Sequence, residues 1–241
     1  MSLTKLKLLN RKYWSNRSKV YDKFPGHVEF EDVWFRILNF FNNGKLRCVD
    51  MGCGTGFMSK ILAKQKNYVI CLDVAEGMLR IAKIKLRKYV NVDYVQADCE
   101  KPPIRSRSTD LIISRHVLWT LEKPYKTLIS WTRCVRDGGQ VVSFDGIWRT
   151  SILKIIMTQL FKNIKYRQNI FTWIKYTILN SRLRNRNLLI TIATLRKFER
   201  YFKLRILGIS RLRFLLFQSR QLKHSSRNYY IINIKRRQVK E

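Results

Sequence analysis

A run of glycines near residue 50 is the part of the sequence whose residue types and spacing most directly suggest chemistry. In the stretch VDMGCGTGFM, Gly52, Gly54 and Gly56 alternate with other residues. Because glycine has no Cβ, its backbone N–H groups can approach a bound group closely. Such a loop can bind a phosphate, a dinucleotide, or a ligand that has no phosphate.

The residues after the last glycine argue against both phosphate-binding loops. A Walker A loop needs Lys and then Ser or Thr directly after its final glycine, whereas Phe57 and Met58 follow Gly56. The dinucleotide fingerprint needs glycine or alanine at position 57 for close packing of the helix on the strand, and Phe57 is too large. What remains is a GxGxG loop that follows an acidic residue, Asp50.

Strand-like and helix-like segments alternate around this loop. The predicted strands are the apolar runs LRCVDMG, YVICLDV, VDYVQAD, TDLIISRHV and QVVSFDG. The predicted helices between them are residues 57–66, GMLRIAKIKLRKY and LEKPYKTLISWTRCVRDGG, the last of which would end at Gly138 and Gly139. This alternation predicts right-handed crossovers and a parallel sheet that helices cover on both faces.

The flanking segments complete a single predicted domain, residues 1–241. FEDVWFRILNFFNN has apolar residues at helical spacing, residues 150–180 and 190–202 look helical, and FKLRILGIS and NYYIINIKR could be two final strands. No repeat or Gly/Ser/Pro linker divides the chain. We therefore expect an N-terminal helical cap (1–45), a cofactor-binding core (46–146), a helical insertion or lid (147–190), and a final helix and strand pair (191–241).

Five blocks of the sequence together resemble the class I S-adenosylmethionine-dependent methyltransferases, in particular their small-molecule, type 11-like branch. The blocks are VDMGCGTGFMSKILA, CLDVAEGML, VQADCEKPPI, STDLIISRHVLWTLEKP and WTRCVRDGGQVVSFDG, in the family's order and spacing over about residues 46–146. The resemblance implies an α/β, Rossmann-like fold: a seven-stranded, mostly parallel sheet with helices on both faces and an antiparallel last strand. It also implies S-adenosylmethionine as the cofactor.

The resemblance assigns roles to the acidic residues at the predicted strand ends. Asp50 would lie near the amino group of the cofactor or order water there, and Asp73 would accept hydrogen bonds from both ribose hydroxyls. Asp98 would accept the exocyclic amine of adenine, with the backbone N–H of Cys99 alongside. Each aspartate also stands where a strand turns into a helix, so capping a helix is the alternative role.

The other expected cofactor contacts come from the same strand ends and from the N-terminal segment. Met78 would line the adenine face, and Tyr21, with Tyr13 and Trp14, would cover the positive sulfonium by cation–π attraction. The remaining contacts that we expect are Gly52, Cys53, Gly54, Thr55, Gly56, Val74, Ser114 and Arg115.

The sequence offers one candidate catalytic residue. His116 follows the fourth predicted strand and is a candidate general base on a substrate O–H or N–H group. The alternative is that His116 only shapes the pocket, because methyl transfer depends mainly on alignment of nucleophile, methyl and sulfur. The five cysteines are widely spaced without a CxxC pair, so we expect no metal site.

Positive charge is concentrated toward the C-terminus. The chain carries 49 Lys and Arg against 16 Asp and Glu, a formal net charge of +33. Residues 147–241 hold 23 of those basic residues and only two acidic ones, Glu199 and Glu241. Such a surface would attract RNA, anionic lipid or an acidic substrate, unless it is only a solvated basic face.

The leading functional hypothesis is methyl transfer by in-line displacement to a nucleophile on a small molecule or metabolite. The alternatives are an RNA-directed methyltransferase that uses the basic C-terminal surface, and a non-catalytic cofactor-binding scaffold. The Pro-Pro-aromatic element common in base-amine methylation is missing after the fourth predicted strand, which reads SRHVLW. Because no secretory signal or membrane span is evident in the sequence, we expect a cytoplasmic location.

Overall fold

A seven-stranded sheet forms the centre of the protein. The computed structural model describes residues 3–23, 27–42, 44–146, 202–208 and 229–236. The strand order is β3-β2-β1-β4-β5-β7-β6, in which β1 to β5 pair in parallel and β7 runs antiparallel to both β5 and β6. The strands are β1 (Arg47–Met51), β2 (Tyr68–Asp73), β3 (Val92–Gln96), β4 (Thr109–Arg115), β5 (Val135–Gly146), β6 (Phe202–Gly208) and β7 (Tyr229–Arg236).

Helices cover both faces of this sheet. In the described part of the chain they are α1 (Leu3–Tyr21), α2 (Glu31–Asn39), α3 (Phe57–Lys64), α4 (Glu76–Leu86) and α5 (Pro124–Cys134). α2, α3 and α4 bury apolar side chains against one face, and α5 packs against the other. α1 lies along α4, where the backbone N–H of Gly77 donates to Ser15 Oγ at 3.4 Å. The predicted fold class, with its antiparallel last strand, is confirmed.

The alternation of side chains along β1 explains why the sheet has two cores. Cys48 packs with the α2, α3 and α4 side, whereas Val49 and Met51 pack with the α5 side. Trp131 of α5 is fully buried, and its indole N–H donates to the Cys99 carbonyl at 2.7 Å. This bond connects α5 to the chain just after β3, so the packing of the core also positions one edge of the sheet.

One predicted boundary was wrong. The helix expected to end at Gly138 and Gly139 ends at Cys134, and β5 already begins at Val135. Val135 is fully buried and pairs with Thr109, and the regular pairing resumes only at Leu111 with Gln140. A buried β-branched residue favours the strand, and the residues between these two pairings form an irregularity in which Gly138 has a φ of 78°.

Some of the sequence-based expectations concern residues outside the described part of the chain. The predicted insertion at 147–190 and the helix at 190–202 lie outside the described residues, apart from Phe202 at the start of β6. The single-domain arrangement therefore stays a prediction. Among the described helices, none is long and apolar enough to cross a membrane. The same part of the chain has no group of three or more His, Cys, Asp or Glu side chains placed to hold a metal ion.

Candidate functional site

A cleft lies at the carboxyl ends of β1 to β4, and α1 supplies one of its walls. Parallel strands bring residues that are distant in sequence to this edge, which is where open α/β sheets bind ligands. Eleven of the residues singled out in the sequence line the cleft together: Trp14, Tyr21, Gly52, Gly54, Asp73, Val74, Met78, Asp98, Cys99, Arg115 and His116.

Other residues singled out in the sequence lie behind the cleft surface. Ser114 is fully buried, and its hydroxyl shares a 2.8 Å hydrogen bond with that of Ser143 on β5. Because side chains alternate between the two faces of a sheet, Ser114 projects from the opposite face of β4 to its neighbour Arg115, which lines the cleft. The Thr55 hydroxyl donates to Asp22 at 2.6 Å. Asp50, Cys53, Thr55, Gly56 and Ser114 are the predicted contacts that do not line the cleft.

Asp50 holds the start of α3 in place. Its carboxylate accepts a 2.6 Å hydrogen bond from the hydroxyl of Ser59 and another bond from the Ser59 backbone N–H. Asp50 is almost completely buried. Burial raises the pKa of Asp50 to about 6, although the bonds from Ser59 and the charge of Arg115 oppose the rise. Asp50 is not the N-cap of α3, a position that Gly56 occupies, but its bonds to Ser59 in the first turn of α3 fix the loop between β1 and this helix.

The raised pKa of Asp50 predicts a specific pH dependence of stability. The pKa rises from 3.8 to about 6 on folding, which corresponds to about 3 kcal/mol. The folded state keeps a proton that the unfolded state has lost, so this contribution is present below about pH 4 and disappears as the pH rises through 6. We expect the free energy of unfolding of the wild type, minus that of Asp50→Asn, to fall by about 3 kcal/mol between pH 3 and pH 7. Urea unfolding at several pH values measures this difference, and a difference that does not vary with pH would contradict the prediction.

Asp73 fixes the glycine loop against β2. Its two carboxylate oxygens accept the backbone N–H of Gly54 at 2.9 Å and that of Ala75 at 2.8 Å. The Leu72 carbonyl accepts the N–H groups of Gly52 at 2.8 Å and of the next residue at 3.0 Å. Burial raises the pKa of Asp73 above its ordinary value, and the backbone hydrogen bonds oppose that rise. The loop is thus shaped before any ligand binds.

An ion pair joins α1 to the end of β3. Lys7 Nζ lies 2.5 Å from an oxygen of Asp98 and 2.7 Å from an oxygen of Glu100. Burial lowers the pKa of Lys7, but the hydrogen bonds to the two carboxylates outweigh burial and raise it. The other oxygen of Asp98 accepts the Glu100 N–H at 2.9 Å. Lys7 therefore contacts the same carboxylate that the resemblance assigns to the adenine amine.

Sequence reasoning missed part of the lining. Lys7 and Asn10 of α1 line the cleft beside Trp14, and Glu100 lines it beside Asp98. A signal existed for the first group, because residues at i, i+3 and i+7 share one face of a helix. The pairing of Lys7 with Glu100 had no such signal, since it joins distant parts of the chain.

Aromatic rings and a neutral histidine form the wall near Tyr21. The ring of Trp14 meets that of Tyr21 edge-on with centroids 6.1 Å apart, and the Tyr21 and His27 rings are 4.1 Å apart. His27 Nδ1 donates to the Tyr21 carbonyl at 2.9 Å. Burial lowers the pKa of His27 to about 4, so the ring is uncharged at neutral pH.

His116 lies at the end of β4 in a left-handed backbone conformation, with a φ of 61°. Its backbone N–H donates to the Phe144 carbonyl at 2.9 Å. Burial lowers the pKa of His116 far below its ordinary value, and the charges of Arg115 and His27 lower it further. An uncharged imidazole can accept a proton, but this low pKa makes it a weak base. Non-glycine residues held at positive φ are often found at functional sites.

Comparison with known proteins identifies the family. A family model described as a methyltransferase domain (Methyltransf_11) matches residues 49–143. Malonyl-[acyl-carrier protein] O-methyltransferase of Buchnera aphidicola is 30% identical over 177 residues, covering 72% of this chain and 68% of that protein. The ubiquinone/menaquinone biosynthesis C-methyltransferase UbiE of Campylobacter jejuni is 28% identical, covering 52% of this chain and 58% of that protein.

Solved structures agree at the level of the fold. Phosphoethanolamine N-methyltransferase 2 of Haemonchus contortus, solved with phosphomonomethylethanolamine and S-adenosylhomocysteine, superposes with a TM-score of 0.67 at 16% identity. The match covers 96% of this chain and 59% of that one, so the chain spans little more than half the length of some of its relatives. With the methyltransferase domain match and the 30% identical relative, these findings show that the chain belongs to the class I S-adenosylmethionine-dependent methyltransferases, type 11 branch.

Proposed function

We propose that this protein transfers a methyl group from S-adenosylmethionine to a nucleophile on a small molecule. The observation that carries the proposal is the cleft at the carboxyl ends of the parallel strands. Gly54, Asp73 and Asp98 line it together with the aromatic residues Trp14 and Tyr21. The malonyl-[acyl-carrier protein] and UbiE relatives are named as O- and C-methyltransferases, which supports the class of reaction. The substrate and the accepting atom belong to the proposal.

The residues of the cleft fit the cofactor. A Cβ built on Gly54 would meet no atom within 4 Å, so the loop leaves open space where the amino-acid end of the cofactor needs it. Asp73 accepts the backbone N–H groups of Gly54, Ala75 and Val74, and because a carboxylate can accept about four hydrogen bonds, it retains capacity for a ribose hydroxyl. Met78 is buried beside it, as a wall for adenine requires. Asp98 would exchange one contact with Lys7 for the adenine amine.

The chain's own contribution to the reaction is placement. The bound cofactor supplies an electrophilic methyl group, which the substrate's nucleophile attacks in line with the departing sulfur. Trp14 and Tyr21 line the cleft, where aromatic rings can attract positive charge and exclude water. His116, at the end of β4, is uncharged, so its imidazole can accept a proton from an O–H or N–H nucleophile.

The alternatives make different predictions about binding. The basic residues that motivated an RNA substrate mostly lie outside the described residues, and the adenine side of the cleft carries Asp98 and Glu100. RNA binding whose affinity does not change with salt would remove this alternative, because phosphate contacts release counterions. A scaffold without catalysis would bind the cofactor and never turn it over. A cytoplasmic location is part of the proposal and rests on the sequence alone.

The proposal is tested by binding first and by turnover second. Purified protein freed of nucleoside should bind S-adenosylmethionine and S-adenosylhomocysteine in calorimetry. Mixed with S-adenosylmethionine and a metabolite extract, the protein should release S-adenosylhomocysteine. Treatment of the extract with ribonuclease should not change the rate of that release. Loss of turnover after ribonuclease would favour the RNA alternative. Absence of any cofactor binding would refute the proposal.

A further inference from the structure

We propose that the Arg115 guanidinium is a carboxylate-binding group at the end of the cleft away from Asp98. The guanidinium carbon lies 4.7 Å from the ring centroid of Phe57 and 5.1 Å from that of Trp34. Nη2 donates to the His27 carbonyl, whereas Nη1 is shielded from solvent and has no hydrogen-bond partner in the part of the chain that the structure describes. The inference rests on the proposed function, because it concerns a ligand of the same cleft.

Within residues 3–23, 27–42, 44–146, 202–208 and 229–236, no acidic side chain neutralises the Arg115 charge at close range. Among the described residues, the ion pairs within 4.0 Å do not include Arg115. Asp50 interacts with it from further away and is engaged by Ser59. The neighbouring rings compensate in part, since a cation over an aromatic face is attracted by the negative potential of the ring. A shielded donor of a charged group without an acceptor is costly, and an anionic ligand would remove that cost.

The surroundings of Arg115 favour an anion as its missing partner. Tyr21 keeps its proton because burial raises its pKa, and burial leaves His27 and His116 uncharged. Phe57 is the first residue of α3, so the guanidinium also lies near the positive end of that helix dipole. The planar fork of a guanidinium matches the two oxygens of a carboxylate. The cleft lining thus contains Asp98 and Glu100 with Lys7 paired to both, Asp73 and Glu122, and the cation Arg115, which is unpaired among the described residues.

The carboxylate has two possible sources with the same chemistry. One is the amino-acid end of the cofactor, and the other is an acidic substrate that binds beside it. A comparison of S-adenosylhomocysteine with its decarboxylated analogue separates them, because the analogue lacks only the carboxylate. The variants are Arg115→Met, which removes the charge, and Arg115→Lys, which keeps the charge without the fork. Arg105→Met is the matched control, since Arg105 is exposed and away from the cleft lining.

If the cofactor supplies the carboxylate, Arg115→Met should bind S-adenosylhomocysteine at least about 10-fold more weakly and the analogue within about 2-fold of wild type. If the substrate supplies it, both nucleosides bind as in wild type. In that case acetate added to nucleoside-saturated protein gives a saturation-transfer NMR signal that Arg115→Met loses. Either pattern supports the proposal when Arg105→Met behaves as wild type. Arg115→Lys should show the same pattern more weakly.

Three outcomes would overturn the proposal. The first is unchanged binding of both nucleosides and of acetate in Arg115→Met. The second is equal weakening of both nucleosides in Arg115→Lys and in a cooperatively melting Arg115→Met, which would mean that Arg115 acts through packing. The third applies if the wild type binds neither nucleoside, so that the proposed function fails, and it is the absence of an acetate signal from the nucleoside-free wild type. An acetate signal that the wild type gives and Arg115→Met loses would instead support the carboxylate site without the proposed function.

Discussion

Replacing Asp73 by asparagine should weaken S-adenosylhomocysteine binding by about 100-fold or more. Two carboxylate oxygens of Asp73 accept the N–H groups of Gly54 and Ala75. Asparagine offers one oxygen and one NH₂, so its NH₂ must face one of those N–H donors. The variant loses that bond, the shape of the glycine loop, and the charged acceptor proposed for the ribose hydroxyls. A hydrogen bond to a charged group contributes about 1.5–3 kcal/mol, and losing two gives an effect of this size.

Calorimetry at neutral pH measures the loss, and a second aspartate provides the control. Asp93 is exposed on β3 and accepts a hydrogen bond from the Tyr68 hydroxyl, away from the cleft lining. Asp93→Asn should therefore bind within about 2-fold of wild type, since exposed polar contacts contribute little. Thermal melts show whether Asp73→Asn is folded. A folded Asp73→Asn with wild-type affinity would exclude Asp73 from the cofactor site.

The fold was readable from the sequence where hydrophobic pattern and turn residues agree. The apolar runs of β1 and β2 are buried on both faces, and the acidic residue that closes β2 marks the edge of the sheet. The pattern failed at the end of α5. There Gly138 and Gly139 look like a helix stop, but the long-range pairing of Val135 with Thr109 ends the helix earlier. Tertiary pairing of this kind has no local signature.

Site residues could be predicted from the sequence where they lie in the glycine loop or at a strand end. They could not be predicted where α1 packs against the sheet. Asp73 and Gly54 are joined across a strand pair that the alternating pattern already implies. The contact between Lys7 and Asp98 joins residues 91 positions apart and depends on how α1 lies on the sheet. The alternation within β4 could have separated Ser114 from Arg115 in advance. That separation also requires the exact end of β4, and the exact end of a strand is the least certain part of a sequence prediction.

Alanine at Gly54 should abolish cofactor binding in a folded protein, whereas alanine at Gly56 should mainly destabilise the fold. Both glycines have positive φ, 55° and 81°, so each alanine costs about 1–2 kcal/mol in backbone strain. A Cβ at Gly56 would also lie 2.9 Å from a methyl of Leu86 and 3.1 Å from the Cβ of Ala82, both on α4. Overpacking of that kind adds about 1–3 kcal/mol. A Cβ at Gly54 meets no protein atom, so it would stand in the space that the cofactor needs.

A third glycine separates backbone strain from the loss of ligand space. Gly44 has a φ of 85°, a Cβ there would meet nothing within 4 Å, and it lies outside the cleft lining. Gly44→Ala should therefore lose about 1–2 kcal/mol of unfolding free energy in urea, as Gly54→Ala does, and yet bind S-adenosylhomocysteine normally. Gly56→Ala should lose about 2–5 kcal/mol. If Gly54→Ala and Gly44→Ala bind equally well, the open space at Gly54 is not where the cofactor lies. Gly54 and Gly56 would then be needed for the turn between β1 and α3 and not for cofactor binding.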